Sequence, residues 1–144
     1  MIKIICVGKI KESFYRDAIF EYLKRLSKYH KVQIIEVADS NIKLEKELIL
    51  KKVDLKDYII TLEIEGKQIG SVEFSNLIDK TLISNSNITF IIGGSDGLDD
   101  EIKNLSNYKL SFSKMTFPHQ LFRVVLLEQI YRAFRIINNE SYHK

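Results

Sequence analysis

The chain has 144 residues, a formal charge of +3 and a hydrophobic fraction of 45%, which indicates one globular domain over residues 1–144 and not a disordered or collagen-like chain. Its single cysteine, Cys6, cannot form an internal disulfide and is typical of a reducing compartment, so we expect a cytoplasmic protein. No apolar run approaches the roughly 18 residues of a membrane span, and the three histidines lack a metal-ligand spacing, so we expect neither a membrane nor a metal partner.

Strand and helix patterns alternate along the chain. Five apolar, β-branched runs predict strands: Ile2–Val7, Gln33–Val37, Tyr58–Ile64, Ile88–Ile92 and Leu110–Phe112. Apolar residues at helical spacing predict five helices, with starts or caps near these residues: Ser13, Ser40, Ser71, Asp99 and Phe117. A turn over Glu65–Lys67 is expected to end the third strand. This alternation predicts an α/β domain with a mainly parallel sheet flanked by helices.

The last predicted helix is apolar almost all the way round between Leu121 and Ile137. Such a helix must be buried on most sides. The sheet can cover one side, and a second copy of the chain can cover another, which predicts a homodimer. The alternative is an unusually central helix within one chain.

Charge is unevenly distributed along the chain. Residues 1–32 hold eight basic and three acidic side chains, residues 33–108 hold eight and fourteen, and residues 109–144 hold six and two. The two basic ends would form one positive surface if the fold or a dimer brings them together, and such a surface suits a phosphate backbone. Ordinary solvated faces are an equally good interpretation of this pattern.

A glycine-rich loop follows the fourth predicted strand. Gly93, Gly94 and Gly97 leave backbone amides open at the carboxyl end of a strand, where α/β sheets bind ligands. Their spacing matches neither a dinucleotide fingerprint nor a Walker A loop. Nearby acids, including Asp96 and Asp99, disfavour a pyrophosphate and tolerate a cationic ligand. A plain turn is the alternative interpretation.

A second loop, Leu110–His119, joins the fifth strand to the last helix. Its hydroxyls and amides could bond a purine edge, and Phe112, Met115 and Phe117 could pack on a ring. An ordinary strand-to-helix loop would look similar.

Basic residues and an aromatic tail follow this loop. Arg123 and Arg132 could hold phosphates or the tail, although Glu128 and Arg132 also have the spacing of a simple helix ion pair. The tail Tyr142–Lys144 could stack on and bond a nucleic acid, or fray.

Two runs of residues resemble a known family. Phe90–Leu98 is similar to the F-x-I-G-G-x-x-G-L motif of the RlmH family of SPOUT methyltransferases, and Leu110–Arg123 resembles its L-S-x-S-x-M-T-x-P-H-Q-L-x-R run. Glu128–Ala133 and Tyr142–Lys144 continue the match, which extends over the whole chain.

The resemblance implies an enzyme that uses S-adenosyl-L-methionine to methylate N3 of a pseudouridine in large-subunit (23S) ribosomal RNA of the ribosome. It implies a single SPOUT domain with a C-terminal trefoil knot, acting as a homodimer. Carried over by position, eight residues would contact the cofactor: Leu62, Gly93, Phe112, Ser113, Lys114, Met115, Thr116 and Phe117.

The resemblance also suggests a catalytic arrangement. Our hypothesis is that His143 and Tyr142 of one subunit approach the cofactor held by the other, while Arg123 holds phosphate or orders the tail. Ser141 stands where many family members have proline, which predicts a looser tail. The alternatives are a non-catalytic RNA-binding factor of the ribosome with the same fold, and a SPOUT methyltransferase that acts on another RNA nucleotide.

Overall fold

The computed structural model describes residues 1–144 and builds them around one five-stranded sheet. The strands are β1 (Ile2–Val7), β2 (Val32–Val37), β3 (Tyr58–Gln68), β4 (Ile88–Ile92) and β5 (Tyr108–Ser111). The helices are α1 (Ser13–Leu26), α2 (Ile42–Leu50), α3 (Ser71–Ser84), α4 (Asp100–Leu105) and α5 (His119–Ile137). The strand order is β2-β1-β4-β3-β5 with every neighbouring pair parallel, which confirms the predicted α/β fold. The trefoil knot stays a prediction of the family resemblance.

Helices cover both faces of the sheet because the inner strands are apolar on both sides. In β1, Ile4 and Cys6 pack in the core shared with α1, α3 and α5. Their neighbours Ile5 and Val7 point the other way and pack in the core shared with α2 and α4. Strand side chains alternate between faces, so one apolar run supplies both cores.

The apolar helix α5 lies between α1 and α3. Its residues Leu126, Leu127 and Ile130 are fully buried in the core. The central position thus accounts for most of its apolar surface within one chain. Leu121 and Val125 stay half-buried on the outer side, so a homodimer contact there remains a prediction.

Helix starts differ from the sequence expectation by one or two residues because of local capping. Ser13 and Ser71 are the first helical residues of α1 and α3 and not their caps. The second helix does not begin at Ser40, because Asn41 accepts a hydrogen bond from the Leu44 amide and acts as the N-cap.

A buried carboxylate, Asp57, lies at the amino ends of the strands. It accepts hydrogen bonds from Lys3 Nζ (2.9 Å), Asn87 Nδ2 (3.1 Å) and Thr89 Oγ1 (2.9 Å). Burial acts to raise the pKa of Asp57, but these three donors outweigh burial and hold that pKa below its usual range. The network therefore stabilises a charged group at the sheet edge opposite the site described next.

Candidate functional site

A cavity of about 370 Å³ opens at the carboxyl ends of β3, β4 and β5. This is the edge where parallel α/β sheets bind ligands. Lys114 is exposed and does not line the cavity. The other seven residues expected to contact a cofactor do line it: Leu62, Gly93, Phe112, Ser113, Met115, Thr116 and Phe117. The two loops predicted from separate motifs therefore share one site.

The glycine loop forms one wall of the cavity. A Cβ atom at Gly93 would lie 2.6 Å from the Gly97 carbonyl oxygen, so this position has room only for glycine. The Gly97 amide donates to the Gly94 carbonyl at 3.0 Å and closes the turn. The tight turn brings the backbone of β4 to the surface of the cavity.

An irregularity in β3 forms a second wall. Leu62 and Lys67 both pair with Leu110 of β5, so the four residues between them loop out of the sheet. The predicted turn at Glu65–Lys67 is wrong, because β3 resumes beyond the irregularity. A Cβ atom at Gly66 would lie 2.8 Å from the β5 backbone, so glycine permits the close approach.

The looped-out residues place acids at the cavity. Glu63 and Glu65 line it, and Glu63 Oε2 accepts a 2.6 Å hydrogen bond from the hydroxyl of the buried Thr61. One lysine, Lys103 of α4, lines the same cavity. Neither acid was predicted to be a site residue, because Glu63 was placed within the third strand and Glu65 in the turn after it. The alternation of β3 points Glu63 to the same side as Thr61, which is the signal that was available.

The loop between β5 and α5 supplies an aromatic wall. The Phe112 and Phe122 rings lie 5.0 Å apart, and Phe117 and Phe122 lie 5.9 Å apart. Ser113 Oγ accepts a 2.9 Å hydrogen bond from the Met115 amide and shapes the loop. An apolar surface with a few polar groups at its rim is typical of small-molecule sites.

His119, the first residue of α5, also lines the cavity. Its Nδ1 atom is buried and has no hydrogen-bond partner within the chain. From the sequence, His119 was only the last residue of the loop Leu110–His119. The ring packs against Gly8, where an added Cβ would lie 3.3 Å from its Cε1 and 3.9 Å from its Nδ1.

Glu45 lies behind the glycine loop and is almost fully buried. Its Oε2 accepts a hydrogen bond from the Ser40 amide at 2.9 Å, and its Oε1 lies 3.3 Å from where a Cβ of Gly94 would stand. Burial raises the pKa of Glu45, and the nearby carboxylates of Asp39 and Asp96 raise it further, against the opposing effect of the Ser40 amide.

Arg123 is not a surface cation. It is 1% exposed, and its guanidinium donates to Glu36 Oε2 at 2.6 Å and to the Gly8 carbonyl at 3.1 Å. It neither lines the cavity nor meets the tail. Its contacts tie α5 to the ends of β1 and β2. Nearby Cys6 is buried, and this burial raises the pKa of its thiol to about 11.

The tail folds back on α5 of its own chain. The Tyr142 ring meets the edge of Tyr131 at 4.9 Å and stands 4.8 Å from the Arg132 guanidinium. His143 Nδ1 lies 3.1 Å from Arg132 Nη1. Arg132 also pairs with Glu128 at 3.0 Å. The structure therefore brings Tyr142 and His143 together through Arg132, and leaves Arg123 apart from them.

The tail and the cavity of one chain lie at different heights along α5. His119 lines the cavity, while Arg132 holds the tail. At 1.5 Å per residue these two positions are about 20 Å apart along the helix axis. His143 therefore does not reach the cavity of its own chain in this conformation.

None of the five helices is both long and apolar enough to cross a membrane. No group of three or more His, Cys, Asp or Glu side chains is arranged to hold a metal ion.

The chain is similar to known proteins over almost its whole length. A family model described as "Predicted SPOUT methyltransferase" matches residues 1–143. A protein of Clostridium botulinum (strain Kyoto / Type A2) named Ribosomal RNA large subunit methyltransferase H is 57% identical over 157 aligned positions, covering 99% of each chain. The protein of the same name from C. botulinum (strain 657 / Type Ba4) is 56% identical with the same coverage.

Solved structures share the fold at low sequence identity. A "probable methylase family protein" from Haemophilus influenzae Rd KW20 has a TM-score of 0.59 at 16% identity, over 99% of this chain and 70% of that one. The tRNA (m1G37) methyltransferase of Aquifex aeolicus has a TM-score of 0.54 at 13% identity, over 91% and 69%. At these identities the likeness extends to the fold alone.

Proposed function

The chain belongs to the SPOUT methyltransferase family, and from this premise we propose that it transfers a methyl group from S-adenosyl-L-methionine to N3 of a pseudouridine in 23S ribosomal RNA. The observation that carries the proposal is the cavity at the carboxyl ends of β3, β4 and β5. Its walls are the two loops that hold the family motifs. The relatives named for large-subunit ribosomal RNA methylation support the substrate class.

The cavity fits this donor. Its volume of about 370 Å³ lies within the range of small-molecule sites. The rings of Phe112 and Phe117 offer an apolar surface to an adenine ring, and the backbone at Gly93 offers open polar groups. Glu63 and Glu65 suit the positive charge of a sulfonium. A phosphate-bearing dinucleotide would meet the same acids unfavourably.

The reaction is largely a matter of positioning. When bound, S-adenosyl-L-methionine supplies an electrophilic methyl group on its sulfonium sulfur. The chain must hold the nucleotide in line with that group, and a base must accept the proton of N3. We assign proton acceptance to the imidazole of His143, with Tyr142 beside it, once Arg132, which can only donate a hydrogen bond, has released the His143 Nδ1 atom that lies 3.1 Å from its Nη1.

This assignment requires two chains. Because His143 is held about 20 Å along α5 from the cavity rim of its own chain, it serves the cavity of a second copy. The half-buried Leu121 and Val125 on the outer side of α5 provide an apolar surface for that copy. A homodimer thus accounts for both the position of the tail and the outer face of α5.

Several lysines are placed to contact the RNA backbone. The Lys11 amide donates to Gln120 Oε1 at 3.1 Å, which sets the loop carrying Lys9 and Lys11 beside the start of α5. Both residues are exposed, and their side chains suit phosphate groups. The arginines of α5 are less suited, because Arg132 and Arg135 already pair with acids. We accordingly propose that the protein acts in the cytoplasm, where a ribosomal substrate is found.

Mass mapping of 23S ribosomal RNA from cells with and without the protein tests the proposal. Loss of one methyl group from a pseudouridine in the absence of the protein is the expected result. Loss at another nucleotide would instead indicate a SPOUT methyltransferase of different specificity. Absence of S-adenosyl-L-methionine binding in calorimetry would favour a non-catalytic RNA-binding factor.

A further inference from the structure

The chain reverses direction after α5 in a Schellman motif. The Glu140 amide donates to the Arg135 carbonyl at 2.8 Å, and the Asn139 amide donates to the Ile136 carbonyl at 3.0 Å. Asn139 adopts a φ of 55°, in the left-handed region that asparagine tolerates better than most residues. Residues 140–143 therefore run back along α5.

Tyr29, which is distant along the chain, and Arg135 of α5 fasten the start of this returning segment through Glu140. Tyr29 Oη donates to Glu140 Oε1 at 2.8 Å, and Arg135 Nη1 donates to Glu140 Oε2 at 2.9 Å and to Tyr29 Oη at 3.2 Å. Arg135 Nη2 donates to the Ser141 carbonyl at 3.0 Å. We call Tyr29, Arg135 and Glu140 the tail triad. The looser tail expected from Ser141 is not what the structure shows.

The triad is itself rigidly supported. The Tyr29 ring stacks on Phe134 at 5.9 Å with an angle of 7° between the planes, and meets the edge of Tyr131 at 6.3 Å. The hydroxyl of Tyr29 holds the pKa of Glu140 below its usual range, and the charges of Arg135 and Lys28 lower it further. The Glu140 carboxylate is therefore ionised at neutral pH, and its bond to Arg135 is charge-assisted.

The fastened segment leads directly to the proposed catalytic end of the tail. Two residues after Glu140, Tyr142 stacks against Arg132, and His143 follows it. Arg132 and Arg135 are three positions apart and lie on neighbouring parts of the α5 surface. One arginine thus holds the start of the segment and the other holds its end.

We infer that Tyr29, Arg135 and Glu140 are positioning residues for methyl transfer, which hold the tail on α5 so that His143 is presented to a second subunit. The inference rests on the proposed function. Short chain ends fray unless they are tied down, and a tail that is competent for only a fraction of the time lowers turnover by that fraction. The triad acts through the tail and touches neither donor nor nucleotide.

The test uses Glu140→Gln and Tyr29→Phe in the full-length protein. Each should lower kcat about fivefold or more, because the competent fraction of the tail falls. The dissociation constant for S-adenosyl-L-methionine should stay within about twofold, because the cavity lies at the other end of α5. Hydrogen exchange at the amides of residues 141–144 should become faster, with an unchanged melting temperature. The double variant should lose no more turnover than Glu140→Gln alone, because both substitutions disrupt the same contact between Tyr29 and Glu140.

Two matched controls separate this role from a general structural one. Glu21→Gln removes another glutamate–arginine pair, with Arg25 at 2.9 Å, and Tyr15→Phe removes the hydroxyl of a tyrosine in α1. Both should keep wild-type turnover and tail exchange. Wild-type turnover in the triad variants would overturn the inference, as would a loss of donor binding equal to the loss of kcat.

The proposed function fails separately from the inference. If the wild-type protein transfers no methyl group to ribosomal RNA, or if His143→Ala is fully active, the catalytic role of the tail is wrong. The positioning role of the triad is then wrong as well. If His143→Ala is inactive and the triad variants are fully active despite faster exchange, only the inference fails.

Discussion

Arg123 and Glu36 form an ion pair of 2.6 Å whose two ends differ sharply in exposure: the arginine side chain is 1% exposed and the glutamate side chain 39%. Most of the desolvation free energy of the pair therefore comes from the arginine. The pair joins the first turns of α5, which borders the cavity, to β2. Arg123 thus orients the helix that carries His119 and does not contact phosphate.

Loss of the glutamate should destabilise the protein strongly. Glu36→Ala leaves the Arg123 guanidinium buried with only the Gly8 carbonyl as partner, and removal of one partner of a buried pair costs about 3 kcal/mol or more. Urea unfolding measures this loss. Glu21→Ala, which breaks a surface pair, should change the free energy of unfolding by about 0.5 kcal/mol or less. Similar losses in both variants would mean that Arg123 is rehydrated easily.

His143→Ala should remove turnover and spare donor binding. Loss of a proton acceptor typically lowers the rate by about 10²–10⁴-fold, while the cavity of each chain stays intact. Single-turnover methylation of ribosomal RNA and calorimetry with S-adenosyl-L-methionine measure the two quantities. Normal turnover in this variant would refute the role of His143.

Two inactive variants should restore activity when they are combined. Gly93→Ala should distort the glycine wall of the cavity and prevent donor binding, because its Cβ would lie 2.6 Å from the Gly97 carbonyl oxygen. In a mixed dimer the intact tail of this chain meets the intact cavity of a His143→Ala chain. Random pairing of equal amounts should give about a quarter of the wild-type rate for a two-fold symmetric dimer. No recovery on co-expression would show that each cavity does not use the other chain's tail.

Glu63 should favour the charged donor over its neutral product. Glu63→Gln should weaken S-adenosyl-L-methionine binding about threefold to tenfold through the lost charge attraction. Binding of S-adenosylhomocysteine, which lacks the sulfonium charge, should change little. Glu47→Gln, at an exposed position of α2, is the control. Equal weakening of both ligands would show that Glu63 contributes by shape or hydrogen bonding and not by charge.

Glu45 should make stability depend on pH in the direction opposite to most carboxylates. Its folded pKa is raised, first by burial, so the folded state retains a proton that the unfolded state has already lost. Stability therefore falls as the pH rises from the usual glutamate range through the raised pKa. Glu45→Gln should be more stable than the wild type at pH 8, and the advantage should shrink towards pH 4. Urea unfolding across this range should show no such trend for Glu47→Gln.

Much of the architecture follows from local patterns. The strands β1 and β4 have their predicted bounds, because a continuous run of β-branched residues predicts a strand without knowledge of its tertiary contacts. The glycine loop and the loop before α5 were both candidate ligand loops from their own residues, with an ordinary turn or loop as the alternative for each. That they share one cavity depends on β3 and β5 being neighbours, which local periodicity does not determine.

The features that were missed depend on contacts between distant residues. Glu65–Lys67 has the composition of a turn, yet the strand resumes beyond it because Lys67 finds a partner in β5. Arginine is usually exposed, yet Arg123 is buried because its guanidinium pairs with Glu36, which is 87 positions away along the chain. Ser141 does not restrict the backbone of the tail as proline would. The hydrogen bond from Tyr29, which is distant in sequence, to Glu140 holds the tail instead.

The helix α5 begins at the cavity and carries the tail near its end, so its length sets a dimension of the assembled enzyme. A single residue inserted between His119 and Arg132 would shift the tail by 1.5 Å and turn it by about 100° around the axis. Surface loops elsewhere absorb such a change at little cost. In this helix it would point Tyr142 and His143 away from a second subunit. The number of residues in α5 therefore fixes both the distance and the direction from the cavity to the tail.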